Sequence, residues 1–218
     1  MAVLDPIKPT ILATRVIPNV DRGLAAKLEL RDDQRSIALV TCDIDDSLYV
    51  SLDEATKMAD VEVVYAHSFY AGSAHASGPL SGEIIGILAA PDPAEARAGL
   101  AACIDYAENR AWFQAADEAG ELAFFAHTIS QIGSYLSSEG GVPVGTSMAY
   151  LIAPPLEATF ALDAALKVAD VEIAVWFAPP SETNFSGGYL VGEQSAVTAA
   201  CAAFRDAVVD VAAAPREV

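Results

Sequence analysis

The chain has 218 residues, 53% of them hydrophobic, three cysteines and a formal net charge of −18. That charge argues against nucleic-acid and anionic-membrane partners, which need clustered Lys and Arg, and no apolar run reaches the ~20 residues of a membrane helix. The start, "MAVLDPIKPT", has no charged segment ahead of a long apolar stretch, so no signal peptide is expected. Cys42, Cys103 and Cys201 form no CxxC pair, and buried, reduced thiols are expected.

In chain order, "TILATRVIPNV" offers a strand ahead of a first core unit. "SIALVTC" (36–42) is an apolar run of strand length, followed by "DIDDSLYVS". "LDEATKMAD" places Leu52, Ala55, Thr56 and Ala59 at helical spacing. "VEVVYAHSFY" is β-branched and aromatic and predicts a strand. "AGSAHASGPLSG" predicts a loop and "EIIGILAA" another strand. "PDPAEARAGLAACIDYAE" predicts a helix with a defined start: Asp92 as cap, Pro93 in the first turn and Glu95 closing a capping box. Its buried stripe is expected to be Ala96, Leu100, Cys103, Ile104 and Ala107.

Residues 109–120, "NRAWFQAADEAG", form a seam. Beyond it, "AFFAHTISQIGSYL" offers a strand, "SMAYLIA" a strand, "LDAALKVAD" a helix and "VEIAVWFA" a strand. "PPSETNFSGG" predicts a loop, "YLVGE" a strand and "SAVTAACAAFRDAVVDVAA" a long helix. The two halves share the order strand, helix, strand, loop, strand, helix.

They also share letters. "LDEATKMADVE" (52–62) and "LDAALKVADVE" (162–172) are identical at eight of eleven positions at an offset of 110, and at six without the alanines. Self-similarity at a fixed period marks a duplicated unit. The expected architecture is therefore layered α/β, in two tandem units over 1–110 and 111–218. Such units build rings when a head-to-tail contact closes, and three chains would supply six units.

Catalytic signatures are missing. The chain has no Walker A loop, no GxGxxG after a strand, no GxSxG and no HExxH. His67, His75 and His127 have no Cys or His cluster beside them, so no metal and no cofactor are expected.

The twice-written K-x-A-D-V-E at the end of a helix, leading into a strand and then a Gly/Ser loop, resembles the bacterial microcompartment shell domain. The segments "DEATK", "VEVVY", "PAEARAGL", "GSYLSS" and "PPSETN" extend the likeness along nearly the whole chain. They are similar to its tandem, circularly permuted ethanolamine-utilisation branch. The resemblance implies two circularly permuted shell domains and a pseudohexameric homotrimer. It also implies tiling with other shell proteins around enzymes, within the cytoplasm, and a gated pore on the trimer axis. It places the tile-edge lysine at Lys57 and Lys167. It places the pore loops at roughly 66–82 and 178–188, with Phe69, Tyr70, Gly72, Glu182, Asn184 and Gly187.

The same resemblance implies a small channel that binds ethanolamine or a similar amine near Asp45, Asp46 and Glu83, completed by Trp112 or Phe113 and by Thr183. The chemistry is coherent: carboxylates suit an ammonium, a hydroxyl side chain suits the ligand's hydroxyl, and an aromatic face adds cation–π attraction. A stand-alone trimeric ligand-binding protein, or an α/β enzyme acting through Asp45 or Glu83, remains an alternative on the residues alone.

Overall fold

The computed structural model describes residues 1–69, 78–179 and 184–216. The chain begins with a two-residue strand, β1 (Pro6–Ile7). Two compact units follow from the packing. The N-terminal unit comprises Lys8–Ala111 with Gly133–Leu136, and the C-terminal unit Met1–Ile7, Trp112–Ile132 and Ser137–Val218.

In the N-terminal unit, the apolar run 36–42 forms β3 (Ser36–Cys42), buried along nearly its whole length. It pairs antiparallel with β2 (Ile11–Ile17) and with β5 (Ile84–Ala90), and β5 pairs antiparallel with β4 (Glu62–Ser68). The sheet order is β2-β3-β5-β4. Because successive side chains on a strand point to opposite faces, Ala38, Val40 and Cys42 of β3 join a core with Leu48, Leu52 and Ala55 of α2 (Asp45–Met58) and Ala96, Leu100 and Cys103 of α3 (Pro93–Asn109). On the other face, Ile37 clusters with Ile87 and Ala89, flanked by Leu28 and Leu30. Those two residues follow the short α1 (Arg22–Lys27), a helix with no buried residue.

Three local details differ from expectation. The first of the expected helices, α2, starts at Asp45, seven residues before Leu52, because Leu48 extends the buried row of Leu52 and Ala55. In addition, Asp45 and Asp46 suit the positive end of the helix dipole. Asp92 caps α3 as expected, its Oδ1 accepting from Ala94 N at 2.7 Å and Glu95 N at 3.0 Å. The Glu95 carboxylate does not turn back onto the cap but accepts from Asp60 N at 2.8 Å, tying the start of α3 to the chain after α2. Gly99 belongs to the buried row, pressed against Val61, and Ile104 is only half-buried.

The C-terminal unit repeats this plan. It contains β6 (Phe113–Ala115), β7 (Ala123–Ile129), β8 (Ser147–Ala153), β9 (Val171–Phe177) and β10 (Ser186–Gly192). Its sheet order is β1-β6-β7-β8-β10-β9, so β7-β8-β10-β9 copies β2-β3-β5-β4. Two helices cover one face: α5 (Pro155–Val168), with Ala158, Ala161, Leu162 and Ala165, and α6 (Gln194–Ala213), with Val197, Ala200, Cys201, Phe204 and Val208. The alanines let helix and sheet approach closely, and the larger side chains each contribute about 1.5–3 kcal/mol on burial.

β10 takes in Ser186, Gly187 and Gly188, residues expected in the preceding loop. Steric room explains it: a Cβ on Gly187 would lie 1.8 Å from Leu151 O, and one on Gly188 2.3 Å from Val175 O. These glycines permit close strand pairing. The segment expected as one strand up to Leu136 breaks after Ile129, and Ser134–Gly140 forms a short helix, α4. All three cysteines are buried and free. No described helix is long and apolar enough to cross a membrane.

Candidate functional site

The antiparallel registers bring one acidic group together. Cys42 at the end of β3 faces Ile84 at the start of β5, and Ile84 faces Ser68 at the end of β4. The residues just past these positions therefore meet at one end of the N-terminal sheet: Asp43–Asp46, Glu83 and Phe69. Gly82 makes the turn possible. Its φ of +64° lies in the left-handed region, and a Cβ there would sit 1.9 Å from Cys42 O. Glu83 N then donates to Cys42 O at 2.9 Å, and Phe69 N donates to Glu83 O at 2.8 Å. Glu83 is thereby held beside the start of α2.

Asp45 and Asp46 occupy the first turn of α2 and are buried. Asp46 N donates to Asp45 Oδ1 at 2.8 Å, and Asp43 Oδ1 accepts from Thr10 N at 2.6 Å. Glu83 is more exposed, yet its carboxyl titrates above the usual carboxylate range. Partial burial is the largest cause, and repulsion from Asp45 and Asp43 adds to it. Ser47, in the same helical turn, has a buried hydroxyl with no hydrogen-bond partner among the described residues, a feature that the sequence pattern did not single out. Tyr49 accepts from Ser68 N at 2.9 Å. Its phenol is pushed up by burial, against the hydrogen bond from Ser68, with Asp45 and Asp46 pushing the same way as burial. The group is thus a concentrated negative site whose carboxylates repel one another, able to accept a small cation with hydrogen-bond donors.

A second acidic position has a structural role. Asp53 Oδ2 accepts from Gly133 N at 2.7 Å and Oδ1 from Leu136 N at 2.9 Å. Thr56 Oγ1 accepts from Ser134 N at 3.1 Å. A Cβ on Gly133 would fall 2.2 Å from Thr56 Oγ1, so only glycine allows this approach. Burial raises the pKa of Asp53 above the usual range; the two backbone hydrogen bonds and then Lys57 oppose it.

The remaining expected residues fall as follows. Trp112 and Phe113 lie in the C-terminal unit. Phe113 is buried in β6, stacked on Phe125 at 5.1 Å and edge-on to Phe185 at 6.1 Å. Asn184 is exposed with φ +64°, and Gly187 lies inside β10. Tyr70, Gly72, His75, Glu182 and Thr183 lie outside the described residues. Lys57 pairs with Glu54 and lies 3.9 Å from Asp53, its side chain mostly covered; Lys167 pairs with Asp163 and is largely exposed. Among the described residues no three His, Cys, Asp or Glu side chains form a metal-binding group.

No protein-family model matches the chain. It is 53% identical over 215 residues to the bacterial microcompartment shell protein EutL of Salmonella typhimurium (strain LT2), covering 99% of this chain and 98% of that protein. The EutL of Escherichia coli (strain K12) is 52% identical with the same coverage. The crystal structure of EutL from Leptotrichia buccalis superposes with a TM-score of 0.96 at 53% identity, over 100% of both chains. EtuB from Clostridium kluyveri, at 22% identity and a TM-score of 0.77 over 93% of this chain and 88% of its own, shares the fold. With identity this high over nearly the full length of both sequences, the chain belongs to the EutL family of bacterial microcompartment shell proteins, which are structural components of the shell and not enzymes.

Proposed function

We propose that this chain forms trimeric tiles of a microcompartment shell, with a gated axial pore and a weak site for ethanolamine or a similar small amine. The ligand part is supported by one observation above all: buried Asp45 and Asp46 lie near Glu83, whose carboxyl is raised in pKa by partial burial first and then by repulsion from Asp45 and Asp43. An ammonium relieves that repulsion, and the Ser47 hydroxyl, without a partner among the described residues, adds a polar group in the same turn. Trp112, Phe113 and Thr183 complete the proposed site. Phe69, Tyr70, Gly72, Glu182, Asn184 and Gly187 belong to the proposed gate, and Lys57 and Lys167 to the tile edge.

Magnitudes suit a gate. A carboxylate–ammonium pair at 4 Å is worth about 1 kcal/mol in bulk water and about 4 kcal/mol at an effective dielectric of 20. After desolvation, a net near 4 kcal/mol corresponds to a Kd of about 1 mM. Binding of that strength responds to substrate concentration without trapping the substrate. The test is calorimetric titration of the assembled protein with ethanolamine. Millimolar binding that weakens in Asp45→Asn and in Glu83→Gln is expected. An unchanged isotherm in both variants would overturn the assignment. Separately, Lys57→Ala with Lys167→Ala is expected to abolish sheets of tiles while sparing trimers.

A further inference from the structure

The internal duplication leaves one contact made in the first copy and missing from the second. α2 and α5 are 14-residue helices offset by 110. β2 and β7 are offset by 112, and so are the first residues of α1 and α4, Arg22 and Ser134. On α2, Asp53 receives the start of α4. Its side chain is 1% exposed, Val50 is 2% exposed and Leu136 is fully buried. The counterparts on α5 and α1 are open: the Asp163 side chain is 61% exposed, Phe160 48% and Leu24 43%. Leu156 is also exposed, so Leu156, Phe160 and Asp163 form one outward stripe at helical spacing.

We propose that this stripe of α5 receives α1 of a second copy of the chain, with Leu24 of one copy against Phe160 and Leu156 of the other. The proposal rests on the trimer reading above and names the surfaces that close the ring. It repeats between copies the arrangement that residues 133–136 make with α2, as a head-to-tail contact must when like units alternate around an axis.

Charge agrees with this occupant. α1 carries Arg22 and Lys27, whereas the α5 stripe carries Asp163 with Glu157 on the same helix. The two contacts differ in one respect that the residues explain. Asp21 stands where Gly133 stands and folds its Oδ1 back onto Gly23 N at 2.8 Å. α1 therefore caps itself and does not need Asp163 as α4 needs Asp53. Asp163 is paired with Lys167 of its own helix, and Arg22, in the place of Ser134, brings it a second cation.

Two measurements test this. Leu24→Cys with Phe160→Cys, oxidised, should give covalent dimers and trimers on a non-reducing gel; the native thiols are buried and give none. Phe160→Glu should lose the trimer in light scattering with an unchanged circular dichroism spectrum. Arg22→Glu should weaken association at least tenfold, and adding Asp163→Lys should restore it. Trimers that persist in Phe160→Glu and Arg22→Glu, with no covalent ladder in the cysteine pair, overturn this interface and leave the trimer reading standing. Wild-type monomers at every concentration overturn both.

Discussion

Asp53 and Asp163 hold the same place in two copies of one helix and have opposite surroundings. Asp53 is buried and accepts the backbone N–H groups of Gly133 and Leu136, whereas Asp163 lies in solvent paired with Lys167. One shared letter serves a fixed internal joint in the first copy and an open surface in the second.

Asp53→Ala should therefore cost about 2–3 kcal/mol, since two buried N–H groups lose their acceptor. Asp163→Ala should change intrinsic stability by less than ~0.5 kcal/mol, as expected for an exposed i,i+4 pair. Urea unfolding of both variants at one protein concentration measures the contrast.

Stability should fall as pH rises through the carboxylate range. Asp53 and Glu83 both have native pKa values above their ordinary ones. A raised acid contributes stability that is fully present below its unfolded pKa, about 4, and is lost as pH rises through the native value. Glu83→Gln should flatten this decline; urea midpoints between pH 4 and 7 follow it.

Ligand affinity should run the other way. Ethanolamine pairs with ionised carboxylates, so binding weakens as pH falls through the native pKa of Glu83. Because that pKa is raised, the loss begins at a higher pH than for an ordinary glutamate. Titrations across the same pH range in Glu83→Gln should lose this dependence.

Gly82→Ala should destabilise by about 2–4 kcal/mol, combining a strained left-handed backbone with a clash against Cys42 O. It should also weaken ethanolamine binding, because the same turn holds Glu83 beside α2. Thermal unfolding and calorimetry separate the two effects.

The thiols should be unreactive in the folded protein. Burial pushes Cys42 up to about 12 and Cys201 up to about 11, and raises Cys103 as well. Alkylation at neutral pH should proceed only at the rate of unfolding.

Much of this was legible in the letters. Apolar alternation and length marked β3, β8 and both repeated helices, and Asp92-Pro93 marked the start of α3, because these signals act within a few residues. The twice-written eleven residues carried the duplication and, through it, the family. Less legible were Ser186–Gly188, where glycine reads as a loop but fits a strand squeezed between two others. α4 was hidden for a related reason: the N–H groups of Gly133, Ser134 and Leu136 at its start are satisfied by Asp53 and Thr56, which lie far earlier in the chain.

By itself the sequence determined the layered α/β plan, the two-fold repetition and the acidic character, all properties of local pattern and composition. Only the tertiary structure decided which acids are buried, which of two identical aspartates is a joint, and that Glu83 stands beside Asp45. Those outcomes depend on strand register and close backbone approach, and both are set by residues far apart in the chain.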